Sequence, residues 1–125
     1  MLYQGGCHCG NVRFKVESSD TPKIEGCNFS IFSKSGFLHL IVPKRDFKLI
    51  SGKNYLQIYQ FNTGITEHTF CKVCGIKPFY IPRSNPDGVD VNIRCLDSQT
   101  SEIKIIKFDG KKWEKHAHSL IHKSI

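Results

Sequence analysis

The sequence predicts a mainly β domain built from many short strands. Residues 11–17 alternate polar and apolar side chains with a period of two, which is typical of a half-buried strand. Short apolar runs rich in β-branched and aromatic residues recur along the chain, separated by clusters of turn formers. No repeat, linker or low-complexity segment interrupts the 125 residues. We therefore expect one domain, spanning residues 1–125.

The first strands follow from local patterns. Over residues 11–17, the alternation predicts that Val12, Phe14 and Val16 face inward. Residues 18–22 are a cluster of turn formers. The short segment from Lys23 to Cys27 is therefore predicted as a second strand.

The later elements are predicted in the same way. Residues 27–36 combine polar breaks with a terminal glycine, which predicts a loop or a single helical turn. An apolar run bounded by a proline predicts a strand at residues 37–42. Further strands are predicted at residues 55–61, 79–81, 89–93 and 103–108. A short C-terminal helix is consistent with four apolar residues near helical spacing, namely Trp113, Ala117, Leu120 and Ile121.

Two closely spaced cysteine pairs indicate a metal site. Cys7 and Cys9 form a Cys-x-Cys pair, Cys71 and Cys74 form a Cys-x-x-Cys pair, and a glycine directly follows each pair. Zn²⁺ favours four thiolate ligands in a tetrahedron, which two such turns can supply. The alternative is two local disulfides or free thiols. We expect a structural zinc ion that joins the start of the chain to its second half.

Composition sets broad limits on function. The chain carries no visible secretion signal, and no window approaches the roughly 20 apolar residues of a membrane span. Six cysteines without such a signal favour reduced thiols and metal, which fits an intracellular, cytoplasmic protein. The net charge of +7 permits attraction to an anionic partner. Because the lysines are dispersed along the chain, a solvated basic surface is the simpler interpretation.

Several segments resemble one protein family. Residues 5–14 and 68–75, which contain the cysteine pairs, resemble the glutathione-dependent formaldehyde-activating enzyme family, which includes centromere protein V. The resemblance extends from about Gly5 to Trp113. It is closest to the centromere protein V branch in the segments at residues 41–43, 47–52, 68–75, 79–86 and 94–97.

Membership in this family implies a β-tent of twisted antiparallel sheets, held together by one structural zinc ion on Cys7, Cys9, Cys71 and Cys74. The family's second, catalytic metal is bound by a Cys-x-Cys-x-x-Cys segment. In this sequence only Cys27 of that segment is kept, and the other two positions are Phe29 and Phe32. Phenylalanine offers no lone pair to a metal, whereas a catalytic zinc typically has three protein ligands. We therefore expect the second zinc site to be absent and its space to be filled by aromatic packing.

A rebuilt second site is the alternative. Cys27 could combine with Cys95, His39 or His68, because thiolate and imidazole both suit zinc. Each of these residues also has a structural interpretation, Cys95 as a small buried apolar group and the histidines as hydrogen-bonded strand residues. The sequence leaves this choice open.

Two functions follow from the resemblance. The family activity implies a carbon–sulfur lyase that acts on glutathione–aldehyde adducts, with impaired or lost catalysis because of Phe29 and Phe32. The alternative is a non-catalytic, zinc-stabilised binding module for an anionic partner such as chromatin, a microtubule or a glutathione-like ligand. Glutathione or its adduct is the expected small-molecule partner, polyanion binding is the weaker expectation, and no membrane partner is expected.

Overall fold

The computed structural model describes residues 1–27, 29–61, 66–98, 104–108 and 117–124. Within these residues the protein is mainly β with a few short helices, as the sequence predicts. The strands are β1 (Leu2–Gly6), β2 (Arg13–Glu17), β3 (Lys23–Cys27), β4 (Leu38–Pro43), β5 (Phe47–Ser51), β6 (Leu56–Tyr59), β7 (His68–Cys71), β8 (Phe79–Tyr80), β9 (Gly88–Asn92) and β10 (Lys104–Phe108). The helix α1 covers Ser30–Ser35, and short 3-10 helices cover Lys44–Asp46, Lys53–Tyr55, Ile93–Cys95 and Ala117–Ser124.

The strands form three sheets. Their strand orders are β1-β2-β5, β10-β3-β4-β9-β8 and β6-β7. The pairs are antiparallel except β10 with β3, which is parallel. This pair departs from the purely antiparallel sheets expected from the resemblance. A parallel pair requires a long crossover connection, and β3 and β10 are far enough apart in the chain to allow one.

The main core lies between the sheets. Val12, Phe14 and Val16 are all buried, so the inward face predicted for the first strand is confirmed. The Phe14 ring stacks on Phe47 with 5.5 Å between ring centroids and meets Phe79 edge-on at 6.2 Å. Burying an aromatic side chain of this size contributes about 2 to 3 kcal/mol of folding free energy. This core fixes the three-stranded sheet against the five-stranded sheet.

The five-stranded sheet has two different faces. One face directs Ile24, Leu40, Val42, Val89 and Val91 into the main core. On the other face the register pairs Glu25 with His39, His39 with Asn92, and Ile41 with Asp90, so these side chains point the same way. Although they are polar, Glu25, His39, Asp90 and Asn92 are all buried. We call this second face the polar face of the sheet.

Two helical segments cover the polar face. The predicted single helical turn is α1, which ends at Gly36 with a left-handed φ of 69°. Phe32 on α1 packs against Phe37 and Tyr80 in a second, smaller cluster. The predicted C-terminal helix is present as the 3-10 helix Ala117–Ser124, whose Lys123 Nζ lies 2.5 Å from Glu25 Oε1. Trp113, which contributed to that prediction, lies outside the described residues.

Candidate functional site

The structure brings the two cysteine pairs together. Cys7 and Cys9 lie in the turn between β1 and β2, while Cys71 ends β7 and Cys74 lies in the turn that follows. Their four sulfur atoms all lie within 4.8 Å of one another. We call these residues the four-cysteine centre. They connect the three-stranded sheet to the two-stranded sheet.

Glycine and backbone hydrogen bonds shape both cysteine turns. Gly10 and Gly75, which follow the pairs, have left-handed φ values of 83° and 79° that favour glycine. The Gly75 N–H donates to the Cys71 carbonyl oxygen at 2.7 Å, which closes the second turn. At the first turn the Val12 N–H donates to Cys7 Sγ at 3.3 Å. Such hydrogen bonds favour a thiolate over a thiol.

The sulfur geometry fits a tetrahedral metal ion. Cys7 Sγ lies 3.5 Å from Cys9 Sγ, which in turn lies 3.7 Å from Cys71 Sγ. A tetrahedron with Zn–S bonds of about 2.3 Å places its sulfur atoms about 3.8 Å apart. Four sulfur ligands in this geometry suit zinc or an iron–sulfur centre. The four-cysteine centre can therefore hold a metal ion.

The thiols of the centre differ in acidity. The pKa of Cys74 is lowered to about 6, because hydrogen bonds from the backbone N–H groups of Cys9 and Ile76 and from neighbouring thiols outweigh burial. The Asn11 N–H lowers the pKa of Cys9, but desolvation beside the neighbouring thiols and the hydrogen bonds with those thiols together outweigh it and raise the pKa to about 11. The Cys74 thiol thus ionises most easily, and the negative charge of its thiolate opposes ionisation of the other thiols. A bound cation removes this repulsion.

Cys95 lies beside the centre without joining it. Its thiol faces the Lys77 carbonyl oxygen at 3.7 Å, and its side chain packs against the main core. Burial, followed by the nearby Cys7 and Cys74, raises its pKa to about 12. Cys95 therefore stays protonated and belongs to the surroundings of the four-cysteine centre.

Aromatic rings fill the space beside Cys27. Cys27 ends β3, and its sulfur accepts a hydrogen bond from the Phe29 N–H at 3.5 Å. The Phe32 ring is 8% exposed. Its centroid lies 4.3 Å from that of His39, 5.3 Å from Tyr80 and 5.6 Å from His68. The Phe29 and Phe32 rings thus pack against each other, Phe32 also packs against both histidines, and neither ring can bind a metal.

The candidate ligands of a rebuilt second site are not brought together as a group. His39 and His68 both contact the Phe32 ring, and Cys27 packs in the same cluster. Cys95, in contrast, packs against the main core. Within the described ranges, the four-cysteine centre is the one group of three or more His, Cys, Asp or Glu side chains whose ligand atoms are close enough for a metal.

The polar face contains two buried carboxylic acids, Glu25 and Asp90, that were not predicted as site residues from the sequence. Asp90 Oδ2 lies 2.6 Å from His39 Nδ1, and both side chains are almost completely buried. His39 Nε2 and Asp90 Oδ1 have no hydrogen-bond partner in the described structure. Burial raises the pKa of Glu25, and the Lys123 ammonium opposes that shift. In the sequence, the alternation of polar residues with valine at residues 89–92 indicates a half-buried strand whose polar side chains face solvent, so it gives no signal that Asp90 is buried.

His68 is held within a stack of aromatic rings. Its ring lies between Phe61 and Tyr80, with centroid distances of 5.2 Å and 5.1 Å and interplanar angles of 26° and 24°. Burial lowers its pKa to about 4, and the nearby Lys77 ammonium acts in the same direction. Burial also lowers the pKa of Lys77 to about 8. At neutral pH the His68 ring is therefore uncharged.

This shift predicts an acid-sensitive contribution to stability. The folded pKa of His68 is about 4, below the value of 6.5 for an exposed histidine, so the unfolded chain binds the extra proton first. Stability is therefore lost as the pH falls below 6.5. Between pH 7 and pH 5.5 we expect a loss of about 1 kcal/mol from this group. His68→Phe, which keeps an aromatic ring in the stack, should remove that part of the loss in denaturant titrations, whereas parallel pH curves for both proteins would contradict it.

The described part of the chain contains no helix that is long and apolar enough to cross a membrane.

Taken together, the fold and the site define a mainly β protein with a four-cysteine centre that can hold a metal ion. A family model described as glutathione-dependent formaldehyde-activating enzyme matches residues 2–115, and the chain belongs to this family.

Two known proteins illustrate the similarity. A Halomonas elongata protein, provisionally named a glutathione-dependent formaldehyde-activating enzyme, is 34% identical over 106 residues, covering 78% of this chain and 68% of that protein. A crystal structure of a Rhodobacter sphaeroides protein superposes with a TM-score of 0.71 at 29% identity, covering 82% of this chain and 99% of the other. Both similarities extend over most of this chain.

Proposed function

We propose that this protein binds a glutathione–aldehyde adduct but that its metal-dependent carbon–sulfur chemistry is impaired or lost; the family's name, glutathione-dependent formaldehyde-activating enzyme, supports the ligand. The observation that carries this proposal is the Phe32 ring, packed against His39, His68 and Tyr80 where the family resemblance implies a catalytic metal. A ring in that place excludes both a ligand and the ion. The segment then provides packing in place of metal binding.

The four-cysteine centre has a structural role in this proposal. Cys7, Cys9, Cys71 and Cys74 would hold one zinc ion through four sulfur atoms, as their spacing allows. With four protein ligands the coordination is complete, so no position is left for a substrate. The bound ion supplies folding free energy and no reaction step. It would fix the turn after β1 to the turn after β7.

The residues beside Phe32 do not fit a catalytic zinc. Such a site typically uses three protein ligands and one open position. Cys27 offers one sulfur, while Phe29 and Phe32 offer none. His39 already contacts Asp90 through Nδ1, and the Phe32 ring lies edge-on against it. This segment therefore offers no three-ligand zinc site with an open position for a catalytic step.

The proposed function includes binding of a glutathione-type ligand, even where catalysis is lost. Family membership supports a glutathione-type ligand. The net charge of +7 favours a ligand that carries carboxylates, because glutathione has two of them and a single ammonium group. The cleft beside α1 remains open next to the packed segment. A ligand can thus be held close to the place where the family resemblance implies chemistry.

Metal content and turnover together test this proposal. We expect elemental mass spectrometry of the purified, reduced protein to give a zinc-to-protein ratio near one. We also expect no turnover of S-hydroxymethylglutathione, while calorimetry detects binding of S-methylglutathione. A ratio near two with measurable turnover would overturn the proposed loss of catalysis. Absence of glutathione binding would overturn the proposed ligand.

Binding assays with nucleic acid and tubulin at several salt concentrations separate the alternative, a non-catalytic module for a polyanion. That alternative corresponds to the predicted closeness to the centromere protein V branch, and the net charge of +7 favours it. Its signature is sequence-independent binding to nucleic acid or tubulin that weakens steeply as salt increases. Salt-sensitive polyanion binding without glutathione binding would favour this module.

A further inference from the structure

An open cleft lies beside the aromatic cluster. Its volume is about 330 Å³, and it is formed by α1, β6, β7 and the chain that follows the second cysteine pair. Among the described residues, its lining consists of Ile31, Tyr59, His68, Phe70, Gly75 and Lys77. Most of this lining is apolar or aromatic. A cleft of this volume lies at the lower end of the range that binds small molecules.

Two of the lining residues have a buried polar atom without a hydrogen-bond partner in the described structure, namely His68 Nδ1 and Lys77 Nζ. The Lys77 ammonium lies over the Phe37 and Tyr80 rings, whereas His68 Nδ1 has no such contact to offset its burial. His68 is only 3% exposed, and its Nδ1 makes no hydrogen bond in the described structure. The rings of Phe61 and Tyr80 hold the imidazole plane on both sides, so the direction of that nitrogen is fixed. A buried polar atom without a partner is unfavourable by about 1 to 3 kcal/mol. A ligand atom that hydrogen-bonds to Nδ1 would remove this penalty.

The cleft has more room than a hydroxymethyl group, the substituent of a formaldehyde adduct, would fill. A hydroxymethyl group has only two non-hydrogen atoms and is close in size to two water molecules. A cavity of about 150 Å³ accommodates benzene. The volume of about 330 Å³ therefore matches an aryl or short alkyl group better than a single carbon. Tyr59 and Phe70 provide aromatic surface against which such a group can pack.

We infer that this cleft binds the apolar substituent of a thiol adduct, so that the ligand is a glutathione adduct of an aldehyde larger than formaldehyde. The inference rests on the proposed function for the glutathione part of the ligand. The apolar part rests on the cleft itself. Ile31, one residue before Phe32, places that substituent next to the segment that has lost two metal-binding positions.

Calorimetry with two glutathione thioethers tests the inference. S-benzylglutathione should bind at least tenfold more tightly than S-methylglutathione, because only the benzyl group fills the cleft. Tyr59→Ala removes one aromatic wall and should reduce that ratio severalfold. Tyr59 is 50% exposed, so this variant is expected to fold. Tyr55→Ala is the matched control, because Tyr55 is also exposed on the same part of the chain but does not line the cleft.

A third probe tests binding of the apolar group in the cleft separately from binding of the glutathione part. Benzyl mercaptan carries the aryl group without the glutathione part, and its binding should shift the NMR resonances of the His68 ring. If benzyl mercaptan binds as tightly as S-benzylglutathione, the glutathione part contributes nothing, which would support the cleft and overturn the proposed glutathione ligand. Equal affinities for the two thioethers, or unchanged His68 resonances with both benzyl probes, would overturn the inference.

Discussion

Replacing Cys71 with serine is expected to unfold the protein at room temperature. The Cys71 side chain is fully buried, and its sulfur lies 3.7 Å from that of Cys9 in the four-cysteine centre. In small metal-folded peptides, structural zinc contributes on the order of 10 kcal/mol at neutral pH. This equals the whole stability of a typical domain, about 5 to 15 kcal/mol. Loss of one of four ligands removes most of that contribution, which circular dichroism and zinc analysis would both record.

Two further variants make this prediction specific. Cys74→Ser affects a partly exposed ligand, so its effect contains little of the cost of burying a hydroxyl group. It should also unfold the protein. Cys95→Ser is the matched control, because Cys95 is close to the centre but outside the group of four sulfur atoms. It should lower the free energy of unfolding by only about 1 kcal/mol. An unchanged melting temperature in Cys71→Ser would contradict the structural role of the metal.

Each metal-binding turn could be predicted because the spacing of its two cysteines and the glycine that follows them are local features of the sequence. Each pair is two or three residues apart with a glycine at the next position, and this spacing is sufficient to indicate a metal-binding turn. The two turns then need only approach each other, which a metal ion itself favours. The inward face of β2 could be predicted for a similar reason, because alternation is a local pattern.

The polar face of the sheet could not be predicted in this way. Asp90 looks like an exposed residue in sequence, and only the pairing of β4 with β9 shows that it lies opposite Ile41 and close to His39. The parallel pairing of β10 with β3 also depends on contacts between distant segments. His39 and His68 were selected as candidate metal ligands because of their residue type. Their packing against the Phe32 ring depends on the tertiary structure.

Restoring cysteine at both Phe29 and Phe32 is expected to create a second metal site. Phe32 lies in α1, and Cys27 lies at the end of β3, so this short segment can retain its backbone when two side chains become smaller. In the double variant this segment would contain three thiols instead of one. Three is the usual number of protein ligands for a zinc ion with an open coordination position. The zinc-to-protein ratio should rise from near one to near two.

The matched control for this variant replaces the same two residues with alanine. Phe29→Ala with Phe32→Ala removes the same aromatic packing without adding ligands, so the metal ratio should stay near one. Removing the buried Phe32 ring alone should lower the free energy of unfolding by about 3 to 5 kcal/mol. In the cysteine variant, bound zinc should recover part of this loss, and a chelator should remove the recovered part.

A comparison of these two double variants tests whether the segment beside Cys27 corresponds to the catalytic metal-binding segment of the family. If the cysteine variant gains an ion and the alanine variant does not, two side chains account for the loss of the second metal, and the backbone still has the geometry of a metal-binding turn. If neither gains an ion, the segment beside Cys27 does not correspond to the family's catalytic segment. The proposed impairment would then lose its structural basis, whereas the four-cysteine centre, tested by Cys71→Ser, would be unaffected. The two tests are therefore independent, because they involve different turns of the chain.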